Sequence, residues 1–172
     1  FGKNQDPNGA YAAVIPLWVK KLITLESPII NGDGNYSRDF TYIDNVIQAN
    51  EKAALISKDK FLKNLKLYYS NLKNEKGIDI DAPKVVMDVF NVAYGDNMTL
   101  FELFDALKTN LAKCDKAITN IKPIIGSKRQ GDIPHSRASI EKTKSVLGYM
   151  PQFDASRGFE QACEWYWENL RI

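Results

Sequence analysis

The chain has 172 residues, 44% apolar and 26% charged, with a formal net charge of +2. That length allows one domain, or one and a part, with a real core, while the near-neutral charge gives no argument for nucleic acid or a membrane surface as partner. Cys114 and Cys163 are too few for a disulfide framework and suit a reducing compartment, no apolar run reaches the roughly 20 residues of a membrane span, and no signal peptide is visible, so a cytoplasmic location is expected.

The opening FGKNQDPNG is a polar loop with Pro7, Asn8 and Gly9 as turn chemistry. Beginning at FGKNQDPNGAY, without an initiator methionine, the sequence has the look of the middle of a longer protein. AYAAVIPLWVKKLITLE predicts a helix, with Pro16 either in its first turn or kinking it. PIING predicts a short strand, GDGN a turn, and the alternating SRDFTY a second strand. YIDNVIQANEKAALIS sets Ile43, Val46, Ile47 and Asn50 on one helical face. SKDKFLKNLKLYYSNLKNEKG follows. Its lysines at 58, 60, 63, 66, 73 and 76 flank a stripe of Phe61, Leu62, Leu65, Tyr68, Tyr69 and Leu72. It reads as a surface helix or insert, over about residues 57–82, whose lysine face is solvated.

KVVMDVFNVAYG is a nearly continuous, valine-rich apolar run, the pattern of a strand buried on both faces over about residues 84–95. In TLFELFDALKTNLAK, Thr99 and Glu102 form a capping box, and Leu100, Leu103, Phe104, Leu107 and Leu111 keep helical spacing. IKPIIG is a short strand or extended segment. ASIEKTKSVLGYMP is a helix that Gly148 ends, and SRGFEQACEWYWENL a last helix capped by Ser156 that buries Phe159, Ala162, Cys163 and Tyr166. There is no internal repeat.

Few residues carry chemistry. Tyr69 and Lys73 spell Y-x-x-x-K, a spacing at which a lysine can lower a tyrosine pKa for proton transfer. No strand and serine precede them as that chemistry needs, so the pair is read as coincidental and no catalytic residue is assigned. One histidine, His135, and two distant cysteines make no metal site, and His135 reads as an exposed loop residue. No G-x-x-G-x-x-G or G-x-G-x-x-G turn is present to cradle a dinucleotide pyrophosphate. Two arginine-bearing stretches remain, GDGNYSRDFTYIDN and SKRQGDIPHS. Arg38 beside Asp39 is either part of a solvated rim or aimed at a ligand. Arg129 and Asp132 lie three apart around Gly131. An arginine fork suits a diphosphate, and a carboxylate suits ribose or sugar hydroxyls. If Arg38 and Arg129 converge they make a nucleotide diphosphate site; if not, they are ordinary surface residues.

Four blocks in order, FGKNQDPNGAYAAVIPLWVKKL, PIINGDGNYSRDFTYIDNVIQAN, VFNVAYGDNMTLFEL and RQGDIPHSRASIEKTKSVLGYMPQFD, closely resemble the carboxyl-terminal half of extended short-chain dehydrogenase/reductases. The nearest subgroup resembles NAD-dependent nucleotide-sugar 4-epimerases acting on UDP-N-acetylglucosamine and its uronic acid, enzymes of polysaccharide biosynthesis. Only the lysine-rich insert falls outside the likeness. The resemblance implies an α/β fold, the carboxyl-terminal part of a Rossmann-type enzyme: the last parallel strand or strands, residues about 84–95 among them, plus a small α/β substrate-binding domain. It places Arg38 and Arg129 on the diphosphate, Asp132 on the ribose, and Val14, Ile15, Ile29 and Asn31 around the uracil. Plain core packing remains the other reading of Val14, Ile15 and Ile29. Asn31 stands where relatives often have a stacking aromatic ring, and Lys3 where they have proline. The resemblance further implies that an amino-terminal half, absent from these residues, binds NAD and carries the catalytic Ser, Tyr and Lys. The complete enzyme would be a homodimer taking a UDP-sugar through a 4-keto intermediate, and residues 1–172 alone would be inactive. The alternatives are a nucleotide-sugar 4,6-dehydratase or another enzyme of the superfamily and, from another class, a binding or interaction module without chemistry.

Overall fold

The computed structural model describes residues 1–6, 14–78, 81–82 and 86–170. The Pro7–Gly9 turn expectation and the first residues of the first expected helix lie outside them. Helix α1 runs Val14–Ile23, with Pro16 in its first turn, where its missing N–H costs no bond. Strand β1 (Ile29–Asn31) is followed by the Gly-Asp-Gly turn and strand β2 (Ser37–Arg38). The turn needs its glycines: Gly34 has φ +76°, and a Cβ there would strike the Phe101 ring. Then come α2 (Ile43–Leu55), α3 (Lys58–Lys76), β3 (Met98–Thr99) and α4 (Leu100–Leu111). A 3₁₀ turn (Lys116–Asn120), β4 (Ile124–Gly126), α5 (Glu141–Leu147) and α6 (Ala155–Leu170) complete the order.

The main core is three-helical. Val19 and Leu22 of α1, Leu103, Leu107 and Leu111 of α4, and Phe159, Ala162 and Tyr166 of α6 are fully buried against one another. The capping box holds in both directions: Glu102 N donates to Thr99 Oγ1, and Thr99 N to the Glu102 carboxylate at 2.8 Å. Both sheets are two-stranded. β1 pairs parallel with β4, in register Ile29–Ile124, Ile30–Ile125 and Asn31–Gly126. β2 pairs antiparallel with β3. The lysine-rich insert is one helix, α3, docked on α5 through Phe61 and Leu65 against Val146 and Leu147, with its lysine face outward.

Four expectations differ from what the described residues show. The strand predicted over about residues 84–95 is not formed in its described part, 86–95. Among the described residues no strand lies beside it. Instead its alternate carbonyls are taken by side chains: Asn91 O by Thr143 Oγ1, Ala93 O by Tyr149 Oη at 2.7 Å, and Gly95 O by Arg137 Nε at 2.8 Å. Met87 is 74% and Val89 80% exposed, so the apolar pattern is present without its cover. The strand expected at SRDFTY shrinks to Ser37–Arg38. α2 turns Asn45 and Ala49 inward, leaving Ile43 and Ile47 40% and 48% exposed. A buried asparagine holds that face because its amide is hydrogen-bonded at both ends: its Oδ1 accepts from Gln152 N and Phe153 N, and its Nδ2 donates to Phe153 O at 2.7 Å. Finally, α6 is capped by Asp154, whose Oδ1 accepts from Arg157 N at 2.8 Å, and not by Ser156.

Candidate functional site

A cavity of about 410 Å³ opens between α1, the β1–β4 pair, β2 and the loop after β4. Its lining is Val14, Leu17, Trp18, Lys21, Ile29, Asn31, Arg38, Leu100, Arg129 and Asp132. Six of the seven residues expected around a nucleotide diphosphate therefore share one cavity. The seventh, Ile15, is 2% exposed and belongs to the core.

Backbone pairing brings the two arginine stretches together. The parallel ladder sets β4 beside β1 and launches the 127–135 loop above the cavity. That loop returns onto β2: Ser37 N donates to Pro134 O at 2.9 Å, and Ser136 N to Ser37 O at 3.1 Å. Gly131, at φ +82° and with open space around it, makes the turn between Arg129 and Asp132. Arg38 Nη1 donates to the carbonyls of Ser37 (2.9 Å) and Pro134 (3.2 Å), which fixes the guanidinium at the cavity edge. The rest of its fork has no protein partner among the described residues. Its neighbour Asp39 instead accepts from Gly95 N at 3.0 Å. The two readings of the Arg38-Asp39 pair thus divide: the arginine lines the cavity and the aspartate holds a backbone turn.

His135 is exposed, and its Nδ1 lies 2.9 Å from the buried Ser37 Oγ, a contact that seals the loop onto β2. Lys128 lies over the Tyr36 ring at 5.5 Å, and Tyr36 raises its pKa through their hydrogen bond. Tyr69 is hydrogen-bonded within the fold. Its hydroxyl donates to Asp88 at 3.2 Å, and burial, then the Asp88 charge, push its pKa up, opposite to the lowering that the Y-x-x-x-K chemistry uses. Asp88 also pairs with Lys142 at 3.0 Å, so this cluster clips α3 to α5. Among the described residues no cluster could hold a metal ion, and no helix is long and apolar enough to cross a membrane.

The lining residues that sequence reasoning missed are Leu17, Trp18, Lys21 and Leu100. The first three continue Val14 at i+3, i+4 and i+7 on α1, so one residue assigned to the cavity was enough to name its face.

What class of protein presents such a cavity is answered by likeness. Residues 1–60 match the NAD dependent epimerase/dehydratase family. Along nearly all of its length the chain is similar to UDP-sugar 4-epimerases, the resemblance its motifs imply. It is 31% identical over 171 residues to a Methanocaldococcus jannaschii protein proposed to be a UDP-glucose 4-epimerase, covering 99% of this chain and 44% of that one. The crystal structure of the Thermotoga maritima UDP-glucose 4-epimerase with UDP-glucose is 25% identical, with TM-score 0.73, and matches 99% of this chain and 44% of that one. The Methanobrevibacter ruminantium UDP-N-acetylglucosamine 4-epimerase, in complex with UDP-N-acetylmuramic acid, is 29% identical, with TM-score 0.68, covering 96% and 43%. The chain spans less than half the length of these relatives. Its α/β fold is that of the epimerases' Rossmann-type architecture in part.

Proposed function

We propose that this chain is the carboxyl-terminal, nucleotide-sugar-binding part of an NAD-dependent UDP-sugar 4-epimerase, a cytoplasmic homodimer acting on UDP-N-acetylglucosamine or its uronic acid through a 4-keto intermediate. One observation carries this: Arg38, Arg129 and Asp132 line the same cavity as Val14 and Ile29. Two guanidinium forks suit a diphosphate, the carboxylate suits ribose hydroxyls, and the apolar wall of α1 and β1 suits a pyrimidine face. Holding the nucleotide orients the sugar for reaction elsewhere.

NAD is expected to be bound mainly outside this chain. No glycine-rich turn opens a helix here to take a pyrophosphate, so NAD is assigned to the remainder of the enzyme, and no chemical step is assigned to this chain. In the complete enzyme NAD supplies reversible hydride transfer. The uncovered Met87 and Val89 fit a face buried against that remainder, with residues about 84–95 completing its parallel sheet.

The test is calorimetric titration of UDP. Charge-assisted hydrogen bonds from Arg129 contribute about 1.5–3 kcal/mol, so Arg129→Ala weakens UDP by about one to two powers of ten. Arg129→Lys rescues incompletely, because an ammonium offers no planar fork, and Asp132→Asn costs less. Equal dissociation constants for wild type and Arg129→Ala would remove Arg129 from the site.

A further inference from the structure

Asn31 occupies the last position of β1, opposite Gly126 of β4. With its amide turned as the neighbouring donors require, its side-chain oxygen accepts from Arg129 Nε at 3.0 Å and from Nη2 at 3.1 Å. Both bonds come from one edge of the guanidinium. A guanidinium has five N–H donors, so this grip leaves the opposite edge, with Nη1, for a ligand. The space for the amide is made by Gly126: a Cβ there would lie 2.9 Å from the Asn31 amide and 2.8 Å from Ile29. Arg129 itself is exposed on a loop, and its side chain has no other protein partner among the described residues. An exposed arginine samples many rotamers, and ordering it costs affinity each time a ligand binds.

From this geometry we infer that Asn31 is a positioning residue. It acts through Arg129 by holding the fork over the cavity before the diphosphate arrives, and it does not contact the base. The inference rests on the uridine diphosphate reading of the cavity, and Asn31 sets affinity for the diphosphate alone. Gly126 belongs to the same device, because any side chain there displaces the amide.

The experiment is a double-mutant cycle in the full-length protein, with UDP and uridine as probes. Asn31→Ala weakens UDP roughly three- to tenfold in the wild-type background. In the Arg129→Ala background it changes UDP binding by less than twofold, because nothing remains to be positioned. Uridine, which lacks the diphosphate, binds Asn31→Ala as it binds wild type. Asn31→Thr, a good strand residue whose short side chain does not reach Arg129, repeats the loss and guards against a folding defect in the alanine variant. Equal weakening of UDP in both backgrounds, or an equal loss for uridine, would overturn the inference by placing Asn31 on the base or in the fold. Arg129→Ala binding UDP as tightly as wild type is a different failure: it would overturn the diphosphate reading itself.

Discussion

Two regions of this molecule obey different physics. Around α1, α4 and α6 the chain is held by apolar interdigitation: large side chains at helical spacing are fully buried, and the cavity is one face of that packing. Along residues 86–95 the sequence is as apolar, yet Met87 and Val89 face solvent, and the segment is held by hydrogen bonds from Thr143, Tyr149 and Arg137 to its alternate carbonyls. The difference teaches that a hydrophobic pattern states a demand for burial, while only a neighbouring surface meets it. Helix faces here find partners within the chain. A strand that asks for a layer on each side does not.

Substitutions should separate the two regions sharply. Phe159→Ala removes a fully buried ring from the helical core and should cost about 3–5 kcal/mol in urea unfolding; a cost near zero would mean that the core does not govern stability. Alkaline pH reaches both regions. Tyr166 donates to Gly2 O beside the first, and Tyr149 to Ala93 O in the second; burial pushes both phenols up to about 12. The unfolded chain releases these protons near pH 10, so stability is whole below that and is lost as pH rises from 10 towards 12, on the order of 2 kcal/mol per tyrosine. The urea midpoint followed from pH 8 to 11.5 should fall, and Tyr149→Phe should flatten part of that fall; an unchanged slope would show that Tyr149 does not pin the 86–95 segment. Smallest of all, Val89→Thr in residues 1–172 alone should stay within about 0.5 kcal/mol of neutral. A loss of several kcal/mol by the same urea measurement would mean that Val89 is covered in solution, and the contrast between the regions would collapse.

Much of the first region could be read from sequence, and little of the second. The capping box at Thr99, the apolar spacing of α4 and the Gly-Asp-Gly turn are local signals that nothing distant contradicts. Arg38, Arg129 and Asp132 could be named from motif likeness, though their convergence depends on the 134–136 segment pairing with Ser37, which no local pattern announces. Trp18 was missed because the α1 face lining the cavity is as apolar as the face lining the core. α2 was turned the wrong way because Asn45 is buried for the backbone of Gln152 and Phe153, more than a hundred residues away. Polar burial of that kind is a tertiary fact and leaves no periodic trace.

The β1–β4 ladder also has a consequence for the order of assembly. It joins positions roughly 95 residues apart through three residue pairs. Closing so long a loop costs about 4 kcal/mol of chain entropy before any contact forms, more than three edge pairs supply alone. On this count the ladder is expected to form after the helices have drawn its strands together, and the cavity with it. Under the proposed function, a nucleotide would bind only molecules in which the ladder has formed, and by mass action would pull the population towards completion without speeding any earlier step.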